Sequence, residues 1–597
     1  MLEFSVPPVA TIRDATNLTD PVWDNADQAP HVAQFARREG GQWRDVTCAE
    51  FRDEVSALAR GLIAAGIRPG DRVALMSRTR YEWTLIDYAI WACAAVTVPV
   101  YETSSVEQVA WILSDSGAVA CFLEDDAHAR AVEAARDGIA GLREVWSIDG
   151  GDIAGLIARG ADVDSAEIAA RRAALHADDI ATIIYTSGTT GRPKGCVLTH
   201  RSMYADIANA IPGLDNLFHE GSSTLLFLPL AHSFARLIQI GVVAARVRTA
   251  HSADIKNLVA DLGAFRPTFV LAVPRVFEKV YNGARQRAHA DGKGAIFDRA
   301  DRVAVAYSEA LDTPGGPGLG LRAMHKVFDR LVYHRLRAAL GGRCTAAISG
   351  GAPLGTRLAH FFRGIGVTVY EGYGLTETSP AAAVNLQGAT RLGTVGRPLP
   401  GVTIRIADDG EILIHGDLVF QGYWNNPEAT AEALDSDRWF HTGDLGSLDD
   451  DGYLAITGRK KEIIVTAGGK NVAPAVLEDR LRAHELISQC MVVGDGKPFV
   501  AVLVTIDEDA WPAWLSAHGL PEGATVADMR EDPTVRAAIQ GAVDEANKAV
   551  SSAESIRKFR ILARDWSEQT GEITPSLKVK RNVVSKEYAD EIAAIYA

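Results

Sequence analysis

Short apolar runs alternate with longer stretches of helical periodicity along the first part of the chain. The runs at 71–76 and 96–101 predict strands, and the stretch 81–95 between them predicts a helix, so that the three form a βαβ unit. Residues 106–116 and 118–123 repeat the order of helix and strand. This alternation favours a mostly parallel sheet that helices cover.

Further apolar runs after the first βαβ unit predict buried strands. They lie at 224–228, 269–272, 346–349 and 367–370, and a helix-rich segment occupies 278–340. Ligands of open α/β sheets bind at the carboxyl ends of the strands. The residues that follow these runs are therefore candidates for the walls of a pocket.

The pattern changes nearer the C-terminus. Residues 396–458 contain short strands separated by turns, which predicts a small antiparallel β subdomain. Beyond it, a helix at 474–484 and strands at 489–493 and 499–506 predict an α+β unit.

A chain of 597 residues is too long for one ordinary core. We therefore predict an α/β fold with two domains. The large N-terminal domain, residues 1–458, would hold mostly parallel, helix-covered sheets together with the β subdomain. Residues 459–597 would form a smaller, mobile α+β C-terminal domain.

The composition is typical of a soluble globular protein, with 47% apolar and 23% charged residues. The net charge of −15 argues against a broad nucleic-acid surface, because phosphate neutralisation needs an excess of basic residues. The six cysteines form no CxxC pair and no metal-site grouping with histidine, which favours reduced packing residues. The N-terminus lacks the pattern of a signal peptide, so we expect a cytoplasmic protein.

The segment 185–195 is a candidate phosphate-binding loop with the sequence YTSGTTGRPKG. Backbone N–H groups and small hydroxyls can surround a polyphosphate, and Lys194 adds a positive charge. It is not a Walker A loop, because that pattern requires glycine directly before the lysine, where this chain has Pro193. Taken alone, the same composition is also typical of a linker. The candidate phosphate ligands are Thr186, Ser187, Gly188, Thr189, Thr190, Gly191 and Lys194.

Four further motifs follow this loop in order along the chain: YGLTE at 373–377, TGD at 442–444, GRKKE at 458–462, and Lys578. Together with the loop they resemble the adenylate-forming superfamily of acyl-CoA synthetases, firefly luciferases and peptide-synthetase adenylation domains. The resemblance covers nearly the whole chain. The segments VPRVFEKV and GRKKEIIVTAGGKNVAP are similar to those of bacterial, actinobacterial long-chain fatty-acid–CoA ligases.

The resemblance implies an AMP-forming long-chain fatty-acid–CoA ligase. Such an enzyme activates a fatty acid with ATP to acyl-AMP and pyrophosphate, and then transfers the acyl group to CoA. Lys194 would hold the leaving pyrophosphate, and Glu377 would bind Mg²⁺ with Thr186 as a second ligand. Lys578 would bridge the α-phosphate and the substrate carboxylate, with Lys580 as the second choice.

The nucleotide itself needs a flat slot and a ribose acceptor. Small residues after two strands would let adenine approach the backbone, and Tyr373 can stack on the ring. Asp444 can accept both ribose hydroxyls, and Arg459 can reach the ribose or the α-phosphate. Each feature also has a plainer interpretation as a turn or a surface charge. The residues assigned to the nucleotide here are Gly350, Gly351, Ala352, Pro353, Glu371, Gly372, Tyr373, Gly374, Thr376, Asp444 and Arg459.

The charged junction between the two predicted domains suits a mobile hinge, with Lys461 as its pivot. Family members turn the small domain between adenylation and thioester formation. CoA carries phosphates, so Gly468, Gly469 and Lys470 are candidate CoA contacts. A second basic cluster is formed by Arg557, Lys558 and Arg560, and both groups are also compatible with ordinary surface charge.

The acyl site is the least defined feature of the sequence. Residues placed near its mouth are Leu230, His232, Phe234, Val273 and Pro274. The family resemblance assigns His232 to the acid site, while a hydrogen-bonded core histidine is an equal alternative. The chain length of the acid rests on the resemblance alone. Because a long-chain acid partitions into membranes, a peripheral contact with the inner membrane face is compatible with this activity, and the oligomeric state is left open.

Three other functions remain as alternatives. A fatty acyl-AMP ligase that loads a carrier protein usually carries an insertion near the hinge, which is not evident around 458–465. A non-catalytic acyl- or nucleotide-binding homologue is expected to lose Lys578, Glu377 or Asp444, and all three are present. A hydrolase is disfavoured because neither Ser187 nor Ser349 lies in a GxSxG motif.

Overall fold

The computed structural model describes residues 2–139, 141–186, 192–574 and 578–597. Within these residues, the first 459 residues build three sheets, and the remainder contributes a two-stranded and a three-stranded sheet. Helices cover the two larger sheets. The helices are Asp20–Gln28, Cys48–Ala64, Tyr81–Ala92, Val106–Ser116, Asp126–Ala134, Asp152–Arg159, Ser165–Ala173, His200–Ala210, Ser233–Ala244, Leu258–Phe265, Pro274–Ala290, Gly294–Leu311, Leu319–Phe328, His334–Ala339, Thr356–Gly364, Pro427–Ala433, Pro474–Arg482, Trp511–Ala517, Val526–Met529, Pro533–Asn547, Arg581–Glu587 and Ala589–Tyr596.

The largest sheet among the described residues has nine strands, and its central strands run parallel. Four predicted buried strands lie side by side in it, so their carboxyl ends meet at one edge. The last of them, Thr368–Tyr373, is longer than predicted, and Glu371, Gly372 and Tyr373 therefore belong to the strand itself. In spatial order the strands are Arg397–Pro398, Ala383–Val384, Thr368–Tyr373, Ala346–Ser349, Phe269–Ala272, Ser223–Leu226, Arg248–His251, Ala33–Glu39 and Gln42–Thr47.

The second sheet has seven strands within the described part of the chain and contains the predicted βαβ unit. Its strands Arg72–Met76 and Val96–Val100 pair in parallel, with helix Tyr81–Ala92 between them in sequence. The candidate phosphate loop connects two antiparallel strands of this sheet, in which Thr186 is opposite Lys194. In spatial order the strands are Gly422–Tyr423, Lys194–Thr199, Ile180–Thr186, Val96–Val100, Arg72–Met76, Ala120–Leu123 and Glu144–Ser147.

The third sheet is antiparallel and contains most of the predicted β subdomain. One of its strands, Glu3–Ser5, comes from the N-terminus, where the sequence indicated no strand. Conversely, Arg397–Pro398 and Gly422–Tyr423 join the two larger sheets. Residues 396–458 therefore supply four of the five strands of this antiparallel sheet and also pair with both larger sheets. In spatial order the strands are Glu3–Ser5, Val402–Ile406, Glu411–Gly416, Phe440–Leu448 and Leu454–Arg459.

The C-terminal part of the chain packs around its own apolar clusters, which draw their members from residues 464–596. A two-stranded sheet pairs Ile464–Val465 with Asn471–Val472, and a three-stranded sheet contains Ile487–Val493, Val500–Ile506 and Ile556–Ile561. The fold thus combines large parallel sheets, an antiparallel sheet and a smaller α+β unit, as predicted.

A buried ion pair holds two helices beside the carboxyl ends of the strands. Arg236 of helix Ser233–Ala244 and Asp87 of helix Tyr81–Ala92 have fully buried side chains, and Arg236 Nε donates to Asp87 Oδ2 at 2.9 Å. Thr97 and Gln239 also donate to this carboxylate, at 2.8 and 3.2 Å. Because the charge is compensated by several hydrogen bonds, the network fixes helix Ser233–Ala244, which begins at the candidate acid site.

All six cysteines are buried free thiols, in agreement with the predicted packing role. Across the described ranges, no helix combines the length and the apolar character that crossing a membrane requires.

Candidate active site

Both ends of the candidate phosphate loop are fixed to one helix, Val106–Ser116. On one side, the Tyr185 hydroxyl donates to Asp115 Oδ2 at 2.6 Å. On the other side, Trp111 Nε1 donates to the Pro193 carbonyl at 2.9 Å, and the Arg192 guanidinium lies 4.7 Å from the Trp111 ring centroid. The predicted ligands Ser187, Gly188, Thr189, Thr190 and Gly191 lie outside the described residues. The anchored ends nevertheless define where the loop leaves and enters the sheet.

A tyrosine connects the lysine after this loop to the predicted metal ligand. Lys194 Nζ lies 5.0 Å from the ring centroid of Tyr423, and the Tyr423 hydroxyl donates to Glu377 Oε1 at 2.8 Å. Glu377 is only 9% exposed, in the turn Thr376–Thr378 after strand Thr368–Tyr373. Thr186 lines the same cavity. One carboxylate and one hydroxyl fit Mg²⁺, which is usually held by one or two carboxylates together with substrate phosphates.

The motif that contains Glu377 approaches a neighbouring segment closely. A Cβ at Gly374 would come within 1.8 Å of the Pro380 carbonyl oxygen, so this position accepts only glycine. Two residues of the same motif, Tyr373 and Thr376, also line the cavity.

Asp444 lies at the centre of a hydrogen-bonded group. The Tyr373 hydroxyl donates to Asp444 Oδ2 at 2.7 Å, and Arg459 Nε contacts Asp444 Oδ1 at 2.9 Å. Asp444 is 3% exposed and lies opposite Arg459 in the antiparallel pairing. Burial and the Asp444 charge raise the pKa of Tyr373 well above its usual value, so its hydroxyl remains a donor. The arrangement orients one carboxylate that can accept diol hydroxyls.

Lys578 enters this region from the C-terminal part of the chain. Its N–H donates to Thr574 Oγ1 at 3.0 Å, and the Lys580 N–H donates to the Glu572 carbonyl at 2.7 Å. Loss of hydration of the ammonium group within the cavity lowers the pKa of Lys578, as does the Arg459 charge, while the charges of Asp444, Glu462 and Glu377 act in the opposite direction. The lysine is thus within electrostatic reach of both predicted carboxylates.

His232 combines the two interpretations that the sequence left open. It lines the cavity directly before helix Ser233–Ala244, and its Nδ1 shares a 3.0 Å hydrogen bond with the Tyr101 hydroxyl. Burial, together with a smaller effect of the Lys578 charge, lowers the pKa of His232 to about 4. His232 is therefore a neutral, hydrogen-bonded residue on the wall of the site at neutral pH.

These groups belong to one open cavity of about 1740 Å³. Part of its wall is charged, and the rest is apolar and comes largely from helices His200–Ala210 and Ser233–Ala244 and the segment after the first of them. No motif in the sequence marks this apolar wall. One available signal was Gly241, a glycine in the interior of an apolar helix. The predicted residues that line the cavity are Thr186, Lys194, His232, Phe234, Gly350, Gly351, Gly372, Tyr373, Gly374, Thr376, Glu377, Asp444, Arg459, Lys461, Lys578 and Lys580, and the apolar wall includes Ile207, Ala210, Ile211, Leu214, Phe218, Leu237, Ile238 and Gly241.

Several predicted residues do not line this cavity. Val273 and Pro274 form the start of helix Pro274–Ala290, where Pro274 is buried. Leu230 is fully buried in the core. Ala352 and Pro353 are exposed in the turn after strand Ala346–Ser349. The chain turns away from the cavity after this strand, so Gly350 and Gly351 line the cavity and the next two residues do not.

Glu371 makes a structural contact and is absent from the residues that line the cavity. It accepts the Leu354 N–H at 2.9 Å and is 8% exposed, and burial raises the pKa of its carboxyl to about 7. Gly468, Gly469 and Lys470 are also absent from the cavity wall, and Lys470 Nζ lies 3.5 Å from Glu554.

The second predicted basic cluster is engaged within the C-terminal part of the chain. Arg557 donates to Ser552 Oγ at 2.8 Å, Lys558 donates to the Ile595 carbonyl at 2.8 Å, and Arg560 donates to Glu591 at 2.6 Å. These contacts favour the interpretation as structural charge in this conformation.

Two large α/β sheets, an antiparallel sheet and a small C-terminal unit that delivers a lysine to a shared cavity define an adenylate-forming enzyme. A family model described as AMP-binding enzyme matches residues 22–424, and one described as AMP-binding enzyme C-terminal domain matches residues 461–597. The chain therefore belongs to the AMP-binding enzyme family, and the resemblance predicted from its motifs is confirmed.

The relatives agree with this assignment. The long-chain-fatty-acid–CoA ligase FadD15 of Mycobacterium tuberculosis is 54% identical over 599 residues, which cover 100% of both chains. The A domain of a carboxylic acid reductase from Segniliparus rugosus has a TM-score of 0.74 at 20% identity, covering 98% of this chain and 94% of that chain. A Mycobacterium tuberculosis fatty acyl CoA synthetase has a TM-score of 0.61 at 23% identity, covering 96% and 99%. The two structures show that the fold is shared.

Proposed function

We propose that this protein is a long-chain fatty-acid–CoA ligase. It would join a fatty acid and ATP to give acyl-AMP and pyrophosphate, and would then exchange AMP for CoA to give the thioester. The observation that carries the proposal is the shared cavity, in which a charged region adjoins an apolar region suited to an acyl chain. The name of the full-length relative at 54% identity supports the same activity.

In the first half-reaction, two anions must meet, because the fatty carboxylate attacks the α-phosphorus of ATP. Catalysis then depends on positioning and charge neutralisation. Lys194 and the preceding loop hold the leaving β- and γ-phosphates, while Lys578 neutralises the carboxylate and the α-phosphate. Glu377, with Thr186, would hold Mg²⁺, and the ion would supply further positive charge there.

The nucleotide and the acid are oriented by separate walls of the cavity. Asp444 accepts the ribose hydroxyls, and Arg459 orients that carboxylate through their 2.9 Å contact. Tyr373 and the glycines beside it form the adenine slot. His232 remains neutral and orients the carboxylate of the fatty acid. Its hydrogen bond to Tyr101 holds the imidazole ring in place.

For the second half-reaction, we assign the hinge to residues 459–462, between an N-terminal domain ending at 458 and a C-terminal domain from 459 to 597. Lys461 is the pivot. Gly468, Gly469 and Lys470 do not line the present cavity, so a role for them in CoA binding requires the small domain to turn. Such turning would remove Lys578 from the site. The thioester step does not need this lysine.

Pyrophosphate release tests this function directly. The purified protein is given ATP, Mg²⁺ and saturated acids of increasing length, with and without CoA. We expect acid-dependent release that increases with length and continues over many turnovers only with CoA. Repeated turnover with a purified acyl carrier protein but not with CoA would favour the acyl-AMP ligase. Absence of acid-dependent release would contradict the proposal.

We also propose a peripheral contact with the inner membrane face through the helical segment 319–331. Leu319, Val327 and Leu331 are 85%, 53% and 54% exposed and follow one side of the segment, about two helical turns and one helical turn apart. Exposed Arg322, Lys326 and Arg330 form the adjacent row. A protein with net charge −15 is repelled by anionic lipid unless basic residues cluster locally, and this segment provides such a cluster beside apolar side chains.

Sedimentation with vesicles tests this contact. The protein is mixed with vesicles that contain 30% or no anionic phospholipid, and the double variant Val327→Asp/Leu331→Asp is compared with Val259→Asp, which changes an exposed valine elsewhere. We expect binding to anionic vesicles that only the double variant loses. Binding of equal strength in all three proteins would contradict this surface.

A further inference from the structure

A row of basic side chains joins helix Pro274–Ala290 to the C-terminal part of the chain. The helix follows strand Phe269–Ala272 of the nine-stranded sheet, whereas the three carboxylates that it meets lie beyond residue 459. The ion pairs are Arg275 with Asp507, Lys279 with Asp509 and Arg285 with Glu485, at 2.8, 3.1 and 2.9 Å. We call these three pairs the charge latch. In each pair, the base belongs to the N-terminal part and the acid to the C-terminal part.

The pair of Arg275 and Asp507 is the best-protected part of the charge latch. Their side chains are only 13% and 14% exposed, whereas those of Lys279 and Asp509 are mostly exposed. Arg275 also donates to Ser488 Oγ, again in the C-terminal part, at 3.3 Å. Exposed ion pairs contribute little, while partly buried ones are screened less by water and salt. We therefore expect Arg275 to contribute most of the stabilisation across this contact.

Asp507 is fixed within its own unit independently of Arg275. Its Oδ1 accepts the N–H groups of Asp509 and Ala510, at 3.1 and 3.2 Å, in the turn before helix Trp511–Ala517. Its Oδ2 accepts from Arg275. One carboxyl oxygen thus serves the local turn, and the other serves the contact between the two parts of the chain.

The unit that contains Asp507 also carries Lys578. Asp507 directly follows strand Val500–Ile506, which shares an apolar cluster with Ile573 and the half-buried Val579, on either side of the lysine. A movement of Asp507 relative to the N-terminal sheets therefore also moves the segment that places Lys578 in the cavity.

From these contacts, we propose that Arg275 is a positioning residue that holds the C-terminal unit where Lys578 enters the cavity. The inference rests on the proposed ligase function and its hinge at 459–462. Adenylation needs Lys578 in the cavity, so the charge latch favours the first half-reaction, and turning for the second half-reaction breaks it. The six residues of the charge latch do not line the cavity. They act on the reaction because a contact present in only one of two arrangements shifts the equilibrium toward that arrangement.

The test measures the two half-reactions separately. Acyl-AMP formation is followed in a single turnover with ATP, Mg²⁺ and palmitate, and thioester formation is followed with added palmitoyl-AMP and CoA. We expect Arg275→Gln to slow acyl-AMP formation about tenfold, because loss of a hydrogen bond between charged groups changes an equilibrium by about this factor. It should not slow thioester formation. A residue that only maintains the fold would affect both half-reactions alike.

Matched variants separate positioning from general damage. Asp507→Asn keeps the oxygen that the local turn uses and should reproduce the effect of Arg275→Gln. The double variant should be no slower than either single variant, since both substitutions remove the same contact. Arg275→Lys keeps the charge and should retain part of the rate. Arg357→Gln breaks an ion pair with Asp301, also 2.8 Å long, within the N-terminal part, and should change neither half-reaction more than about twofold.

The outcomes distinguish this inference from the function on which it rests. Equal slowing of both half-reactions by Arg275→Gln, or additive losses in the double variant, would refute the charge latch. Unchanged acyl-AMP formation in Asp507→Asn would also refute it, and this variant decides the matter if Arg275→Gln fails to fold. If the wild-type protein forms no acyl-AMP from any acid, the proposed ligase function itself is wrong, and the inference falls with it.

Discussion

Filling the apolar wall at Gly241 should shorten the acids that the enzyme accepts. Gly241 lies in helix Ser233–Ala244 and lines the cavity beside Phe218. A Cβ at this position would lie 3.1 Å from Phe218 Cε1, so the Phe218 ring would need to shift only slightly. The remaining atoms of a larger side chain would extend into the cavity. We therefore choose Gly241→Leu.

The size of the effect follows from the volume that leucine would occupy. Its four side-chain carbons displace about four methylenes of a bound acyl chain, and each buried methylene contributes about 0.8 kcal/mol. The loss is then about 3 kcal/mol, or roughly 200-fold in kcat/KM, for an acid long enough to fill the pocket. An acid that ends before Gly241 loses none of this binding.

The assay is pyrophosphate release with palmitate and with octanoate. We expect Gly241→Leu to reduce kcat/KM for palmitate by about two orders of magnitude and to change that for octanoate less than threefold. Gly263→Leu is the matched control, because this glycine is also helical and a Cβ there meets no atom within 4 Å. An equal loss with both acids would refute the assignment of this wall to the acyl chain.

Further predictions concern charge, hinge, core and pH. Lys578→Ala should slow acyl-adenylate formation at least about 100-fold, because the lysine charge acts on the first half-reaction. Added acyl-AMP should still be converted to the thioester. Undiminished adenylate formation would contradict the role of Lys578. Lys461→Pro should impair thioester formation more than adenylation, and equal losses would argue against a pivot. Arg236→Leu should lower the free energy of unfolding by about 3–5 kcal/mol, because it leaves Asp87 buried without its partner; in denaturant titrations, the double variant Asp87→Leu/Arg236→Leu should recover part of this loss, and no recovery would refute the coupling. His232 has a pKa lowered from 6.5 to about 4 in the folded protein, so the stability that it contributes is lost as pH falls through this interval. His232→Gln should therefore flatten the dependence of unfolding free energy on pH there, and an unchanged dependence would contradict its burial as a neutral ring.

Much of the fold was predictable because its signals are local. The capping box of helix Cys48–Ala64, in which Thr47 and Glu50 exchange hydrogen bonds, is visible in the sequence. The strand Glu3–Ser5 was missed because three residues carry no usable periodicity, and its partner Val402–Ile406 is distant in the chain.

The site residues that belong to short motifs were predictable, whereas those that only tertiary packing brings to the site were not. Glu377, Asp444 and Lys578 come from such motifs, and all three lie on one cavity. The anchors of the phosphate loop, Asp115 and Trp111, belong to an ordinary-looking helix, and only the tertiary structure brings them to Tyr185 and Pro193.

The measurement that tests the central claim most directly is a two-stage trapping experiment with one long-chain acid. The purified protein is incubated with ATP, Mg²⁺ and palmitate without CoA, and bound products are identified by mass spectrometry before and after CoA is added. The account predicts palmitoyl-AMP in the first stage and its conversion to palmitoyl-CoA and AMP in the second. Failure to form palmitoyl-AMP, or a palmitoyl-AMP that persists unchanged after CoA is added, would contradict a cavity that performs both half-reactions.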